Sequence, residues 1–357
     1  MADFEKLMDS AFRLAEKGLG YTSPNPAVGA ILYKNGNIIA RGYHRKAGLP
    51  HAEIEAIRRA GSRAKGATLV TTLEPCSHHG KTPPCASAII SAGIRTVVGA
   101  ITDKNPLVSG KGYRRLRAAG IKVINGVLRE KAAEFYEPYF KFITTGLPFV
   151  TLKYAQSVDG KIATKTGHSR WISSPESLRL SHRLRAVSDG ILIGSGTLAS
   201  DDSKLTTRLV KGSNPIRIIL SSSGRISPNR NVFKDGAAPT YVATHRSSRP
   251  DNTGKMKLIF VKKHGSGLDL KNLLVKLGRM GIVTLMVEGG SGVLTSFLKQ
   301  RLADRIIVCV APIIIGNGTS AFGDLGVEKV DRAVVLANTE WSRSGPDTIL
   351  SARPVWR

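Results

Sequence analysis

The stretch TLVTTLEPCSHHGKTPPC, residues 68–85, decides how the first half of the chain folds. Thr68 to Leu73 is apolar and β-prone and reads as a strand, Pro75-Cys76 follows it, and Cys85 enters a helix over Pro84 to Ala92. Upstream, His51-Ala52-Glu53 opens a helix that reaches Ala60. The spacing predicts that these strand and helix ends assemble one pocket holding an imidazole and two thiols. Strands alternating with helices in this way imply α/β layering.

One imidazole and two thiolates, His51, Cys76 and Cys85, make a donor set for zinc that leaves a fourth position open, as a catalytic site requires. Zinc lowers the pKa of water in that position, and a carboxylate that is not a ligand can move its protons; Glu53 is the candidate. His-x-Glu followed by Pro-Cys and a second cysteine is the arrangement of zinc nucleobase deaminases. Alone, His-x-Glu fits a helix-surface pair equally well, and two cysteines nine apart fit buried small hydrophobes. Their order, strand-to-helix context and flanking prolines favour the metal. His78 and His79 are alternative ligands, but a fourth protein ligand would close the site.

Outward from this pocket, Phe4, Leu7, Ala11 and Leu14 recur at helical spacing until Gly18, and Asn35-Gly36 joins two strands, Ala27 to Tyr33 and Asn37 to Tyr43, as a hairpin. Downstream come a strand over Thr96 to Ile101, a helix over Gly112 to Gly120, a strand over Ile121 to Asn125 and one long helix from Leu128 to Thr144. Gly146-Leu147-Pro148 breaks that helix and marks a domain boundary. A second series follows, with strands at Phe149 to Tyr154, Gly190 to Ile193, Pro215 to Leu220, Lys257 to Val261, Val283 to Val287 and Arg305 to Val310. Its helices lie near Ser177 to Ala186, Leu268 to Leu277 and Gly292 to Leu302. Ser221 to Asn231 and Thr244 to Gly254 read as exposed loops.

The length of 357 residues fits two domains. Lys and Arg number 53 against 26 Asp and Glu, giving +27, so anionic substrates or partners are expected. Both halves are basic, and charge spread this evenly is a solvated surface more often than a nucleic-acid footprint. Three cysteines exclude a disulfide framework and point to a reducing compartment, the cytoplasm. The N-terminus carries Asp3, Glu5 and Asp9 and lacks the order of a secretory signal. The longest apolar run, Ile306 to Ile315, is about half the ~20 residues that a membrane span needs.

The eight residues between Cys76 and Cys85, where nucleoside and tRNA deaminases usually carry two, are one of several matches. With Pro24-Asn25-Pro26-Ala27-Val28-Gly29, Gly42-Tyr43-His44, Ser157-Val158-Asp159-Gly160, Trp171-Ile172, Gly194 to Asp202 and Glu288-Gly289-Gly290, the chain resembles the bifunctional riboflavin-biosynthesis deaminase/reductase family over essentially its whole length. The resemblance implies an α/β protein of two domains. Residues 1–146 would be a cytidine-deaminase-like three-layer α/β/α domain, a zinc-dependent pyrimidine deaminase. Residues 147–357 would be a dihydrofolate-reductase-like α/β domain that uses NADPH. Together they would replace the 2-amino group of 2,5-diamino-6-(ribosylamino)-4(3H)-pyrimidinone 5′-phosphate by oxygen and then reduce its ribosyl side chain to ribityl.

By the same resemblance Asn25, His44 and Lys81 contact the deaminase substrate. Lys153, Ser169, Arg185, Leu205, Arg208 and Glu288 hold the phosphorylated reductase substrate. Ala155, Trp171, Thr197, Asp201, Ser222 and the run Gly290, Ser291, Gly292, Val293, Leu294, Thr295 and Ser296 touch NADPH. Physically, a strand running into a glycine-rich helix start can receive cofactor phosphates, and an arginine fork can grip a phosphate bidentately. Each of these residues also has an ordinary structural reading: Asn25 in a turn, Lys81 as a loop charge, either arginine as a surface ion-pair partner, Trp171 as core. The chain departs from the family at Ser203, where Asp201-Asp202 is usually followed by Pro, and at Ser221, where Asp is usual. The expected assembly is a homo-oligomer, dimer or tetramer, with one zinc per chain, no membrane contact and no specific nucleic acid. Two other readings stay open: a nucleic-acid base deaminase with a non-catalytic C-terminal domain, and a zinc-stabilised binding module.

Overall fold

In strand β1 (Gly29–Lys34) Ala30 and Leu32 pack on one side of a sheet and Ile31 on the other, the period-two alternation of a strand buried on both faces. Leu69 and Val70 of β3 (Thr68–Thr71) and Val97 and Val98 of β4 (Thr96–Gly99) divide in the same way. With β2 (Asn37–Tyr43) and β5 (Lys122–Asn125) they make a five-stranded sheet in the order β2-β1-β3-β4-β5. Neighbours are antiparallel from β2 to β3 and parallel from β3 to β5. One face carries α1 (Phe4–Ala15), α5 (Arg129–Phe135) and α6 (Glu137–Thr145); the other carries α2 (Ala52–Ala60), α3 (Cys85–Ser91) and α4 (Lys111–Ala118). This is a three-layer α/β/α unit.

These elements come from a computed structural model that describes residues 3–77, 84–247, 256–265 and 267–356. It divides into two units, Met1–Gly146 and Leu147–Arg357. The hairpin turn follows its sequence signal, with Asn35 at φ 49° and Gly36 at φ 82°. The expected single helix over Leu128 to Thr144 is instead α5 and α6, broken at Tyr136. Pro138 has no amide for the helical ladder and its ring crowds the preceding turn, so it suits the start of a helix and not its middle.

The second unit is built on a nine-stranded sheet. Its strands are β6 (Phe149–Ser157), β8 (Gly190–Gly194), β9 (Ile216–Leu220), β10 (Thr240–Thr244), β11 (Lys257–Phe260), β14 (Thr284–Val287), β15 (Arg305–Ala311), β17 (Val335–Ser344) and β18 (Asp347–Val355), in the order β11-β10-β9-β8-β14-β6-β15-β18-β17. The seven from β11 to β15 run parallel; β18 is antiparallel to β15, and β17 is antiparallel to β18. Short pairs β7 (Lys161–Thr164) with β16 (Gly318–Ser320) and β12 (Lys263–His264) with β13 (Gly267–Leu268) stand outside it. Helices α10 (Leu270–Arg279) and α11 (Ser291–Lys299) pack on one face through Leu273, Leu274, Leu277, Leu294 and Phe297. Helices α7 (Pro175–Val187) and α8 (Ser195–Asp201) cover the other through Leu180, Leu184 and Leu198, with the short α9 (Asn231–Lys234) beside β10.

The sequence reading did not anticipate β7, β10, β12, β13, β16, β17, β18, α8 or α9. β17 lies at the sheet edge with Asn338, Thr339, Glu340 and Trp341 exposed, so it carries no apolar alternation to read. Among the described residues no helix is long and apolar enough to cross a membrane.

Candidate active sites

His51 is the N-cap of α2, in extended conformation, and its side chain makes no capping bond, so the ring turns toward the end of β3. Its Nδ1 lies 3.2 Å from Cys85 Sγ and 3.6 Å from Cys76 Sγ. Cys85 starts α3, and its amide donates to Cys76 Sγ at 3.3 Å. The three candidate ligand atoms all lie within 4.8 Å of one another. Hydrogen bonding from Cys85 and then from His51 holds the Cys76 thiol well below its ordinary value, while Cys85, sharing the proton and buried, is pushed up. A cation bound between the two sulfurs would favour the thiolate form of both. An imidazole nitrogen and two sulfurs suit zinc, and the set leaves a coordination position to a non-protein group.

Glu53 lies in the first turn of α2, 3% exposed, and burial pushes its carboxyl up to about 7. The helix can approach this closely because residue 42 is glycine: a Cβ there would stand 2.2 Å from the carbonyl oxygen of Ala52. His44 lines the same cavity with its Nδ1 3.1 Å from the Pro50 carbonyl, so Nδ1 carries the proton and Nε2 accepts from Asn25 Nδ2 at 3.4 Å. Burial pushes His44 below its ordinary value and keeps it neutral. The loop bearing Asn25 is pinned by Tyr136, whose hydroxyl donates to Ala27 O at 3.0 Å and meets Thr72 Oγ1 at 2.6 Å.

Asn25, His44, His51, Glu53 and Cys76 thus share a cavity of about 270 Å³, and Cys85 lies directly behind it. Lys81, His78 and His79 lie outside the described residues. Sequence reasoning gave no role to Glu74, Asp103, Asn105 or Tyr139, which also line this cavity. Asp103 and Asn105 follow parallel strand β4, the end at which open α/β sheets place their ligands, and that position was the available signal. Burial pushes the Asp103 carboxyl up to about 6; it accepts from Asn105 N at 2.8 Å and from Tyr139 Oη at 3.3 Å.

In the second unit the carboxyl ends of β6, β8 and β14 open into a trough of three cavities. The first, about 790 Å³, is lined by Lys153, Ser169, Trp171, Arg185, Leu205, Arg208 and Glu288. The second, about 360 Å³, adds Ala155, Gly290 and Ser291 and shares Lys153, Ser169, Thr197, Asp201 and Glu288 with the first. The third, about 670 Å³, lies along the starts of α8 and α11 and is lined by Thr197, Ser222, Gly290, Ser291, Gly292, Val293 and Ser296. The amides of Ser291 and Gly292 belong to the first turn of α11, where a helix favours an anion. The Gly290 amide is already held by Thr197 Oγ1 at 3.0 Å.

Several expected contacts differ from their sequence reading. Leu294 is fully buried in the core, because at helical spacing it shares the sheet-facing side of α11 with Phe297 and Leu298. Thr295 Oγ1 is engaged by Ser291 O at 2.7 Å and Gly323 N at 2.8 Å, and Thr295 does not line the third cavity. Trp171, 66% exposed, lines the first cavity and not the one beside α11. The Arg185 fork, expected on a phosphate, is bidentate to Glu288, with Nη2–Oε2 at 2.6 Å and Nε–Oε1 at 3.2 Å. Burial alone would push Glu288 up, but Arg185 and Lys153 outweigh it and hold the carboxyl below its ordinary value. His182, buried in the same cavity, is pushed down to about 4 by burial and by Arg185 and Arg208. At Ser221 the hydroxyl accepts from the Gly224 amide at 3.1 Å and closes the turn after β9.

Residues 1–101 match the family model of the cytidine and deoxycytidylate deaminase zinc-binding region, and residues 148–350 match that of the RibD C-terminal domain. The chain is 46% identical over 346 residues to the riboflavin biosynthesis protein RibD of Aquifex aeolicus, covering 96% of each. It is 38% identical over 362 residues to RibD of Escherichia coli, covering 97% of this chain and 98% of the relative. Among solved structures it is similar to the diaminohydroxyphosphoribosylaminopyrimidine deaminase/5-amino-6-(5-phosphoribosylamino)uracil reductase of Thermotoga maritima, with TM-score 0.87, 38% identity and 99% of both chains covered. Acinetobacter baumannii RibD gives the same TM-score of 0.87 at 32% identity.

Proposed function

The chain belongs to the RibD family of riboflavin-biosynthesis enzymes, which join a zinc-binding deaminase domain to a reductase domain, and from that premise we propose what each site acts on and which residues act. The first unit takes 2,5-diamino-6-(ribosylamino)-4(3H)-pyrimidinone 5′-phosphate. The second reduces the ribosyl side chain of the deaminated product with NADPH, giving 5-amino-6-(5-phosphoribitylamino)uracil. The alternative of a nucleic-acid base deaminase with an inert C-terminal domain is not favoured by relatives that match both halves.

His51, Cys76 and Cys85 would hold one zinc ion, which supplies Lewis acidity toward water. Glu53 takes a proton from the attacking water and delivers it to the departing 2-amino nitrogen, so that a C–O bond replaces a C–N bond and ammonia leaves. A carboxyl pushed toward neutrality by burial suits a group that must both take and give a proton. Asn25 and neutral His44 orient the ring, and Lys81 offers a cation to the phosphate.

In the second unit the residues along the three cavities would hold NADPH, which would supply the hydride needed at C1′ when the bond to the sugar ring oxygen opens. The first-turn amides of α11, with Thr197, Ser222 and Ser296 beside them, would hold its phosphates. Lys153 and Glu288 line both of the first two cavities, and there Lys153 would hold the substrate and give a proton to the ring oxygen. Arg208 receives the substrate phosphate, while Arg185 keeps Glu288 ionised. The protein acts in the cytoplasm as a dimer or tetramer, which light scattering measures.

The observation that carries this reading is the convergence of one imidazole and two thiols within 4.8 Å beside buried Glu53. Its test is incubation with the diaminopyrimidinone phosphate, with and without NADPH, following ammonia and then NADPH. Neither ammonia release nor NADPH loss from zinc-loaded, folded protein would reject it.

A further inference from the structure

Glu74 stands two residues before Cys76 and is 4% exposed. Its Oε2 accepts from the amides of Asp103 at 3.2 Å and Gly110 at 2.9 Å, and its Oε1 from those of Gly112 at 2.9 Å and Tyr113 at 3.2 Å. These four bonds fill the roughly four acceptor positions of a carboxylate, so Glu74 has no capacity left for substrate. Gly110, the N-cap of α4, provides no side-chain bond, and the strand-end carboxylate caps that helix from outside. A Cβ on Gly112 would fall 2.0 Å from the Pro75 carbonyl oxygen, so α4 rests directly on the backbone that leads into Cys76. Between Asp103 and Gly110 runs the loop that brings Asp103, Asn105 and Val108 to the deaminase cavity.

We propose that Glu74 is a positioning residue for deamination, fixing the loop 103–110 and the start of α4 against the strand end that carries Cys76, so that the ring-facing wall and the metal-binding wall of the cavity keep one spacing. This rests on the deaminase reading of that cavity. Glutamine at 74 would present one oxygen and one amino group, leaving about half of the four amides facing a donor.

The test is Glu74→Gln in the full-length zinc-loaded protein. The expected result is unchanged zinc per chain, unchanged reductase turnover, and a deamination KM raised at least about tenfold, with a smaller change in kcat. A lower kcat at unchanged KM, with a lower melting temperature, would mean only fewer folded molecules and would overturn the proposal. Amide hydrogen exchange adds a readout independent of substrate. In the wild-type protein Asp103, Gly110, Gly112 and Tyr113 should exchange as slowly as the β1 and β3 amides, and in Glu74→Gln selectively faster. Exchange at those four amides as fast as in exposed loops of the wild type overturns the proposal even if the variant does not fold, and leaves the substrate assignment standing.

Discussion

The two sites are built on opposite plans. In the first unit, ligand atoms from one strand end and two helix starts close to within 4.8 Å around a cavity of about 270 Å³. In the second, the candidate contacts run from Lys153 to Ser296 along three joined cavities, the largest about 790 Å³. A metal imposes donor type, number and separation, so its site is compressed and each member is irreplaceable. A groove for two extended ligands asks only for shape, cations and free amides, so its energy is spread and its members are individually tolerant.

The sharpest way to break that contrast is to strip the metal. Treatment with a strong chelator should abolish deamination and leave NADPH-dependent reduction of the deaminated substrate intact; loss of both would show that the sites are not independent. Next in size, Glu53→Gln should lower the deamination kcat about a thousandfold while zinc content and reduction hold, as measured by ammonia release and elemental analysis.

In the second unit the comparison sharpens at the tightly paired Arg185 and Glu288. Arg185→Ala strands the Glu288 carboxylate, whose side chain is 13% exposed, and should cost about 3–5 kcal/mol in denaturant unfolding of that unit, together with reductase activity. Arg208→Ala, by contrast, should chiefly raise the reductase KM. The smallest expected effect is a pH dependence in the first unit. The Asp103 carboxyl moves from 3.8 to about 6 on folding, so the folded state binds its proton more tightly. The stability this group contributes is complete below pH 3.8 and is lost as pH rises through about 6. The loss is about 2–3 kcal/mol, and Asp103→Asn should flatten that part of the unfolding free energy against pH.

The same contrast explains what could be read from the chain alone. The grouping of His51, Cys76 and Cys85 beside Glu53 was legible because metal chemistry restricts residue type and spacing together. The core strands were legible because β1, β3 and β4 alternate or run apolar between turn residues. Glu74 was within the quoted motif, yet its role depends on amides about thirty residues downstream, which no local pattern announces. Leu294 was assigned to the cofactor as one of a run, and helical periodicity turned it to the core. Arg185 was read from its own chemistry, which favours phosphate, but the fold supplied Glu288 first. Pro138, which sets the break at Tyr136, was visible as a residue, and the break was missed because the flanking apolar periodicity continues across it.

The Arg185–Glu288 pair has a consequence for behaviour in salt. Mobile ions screen charges that face solvent and hardly reach a pair enclosed at 2.6 Å. With Arg208 in its proposed role as the cation for the substrate phosphate, raising ionic strength should therefore weaken capture of the phosphorylated intermediate, while leaving turnover of molecules already bound nearly constant. Electrolyte would act as a dial on loading and not on chemistry.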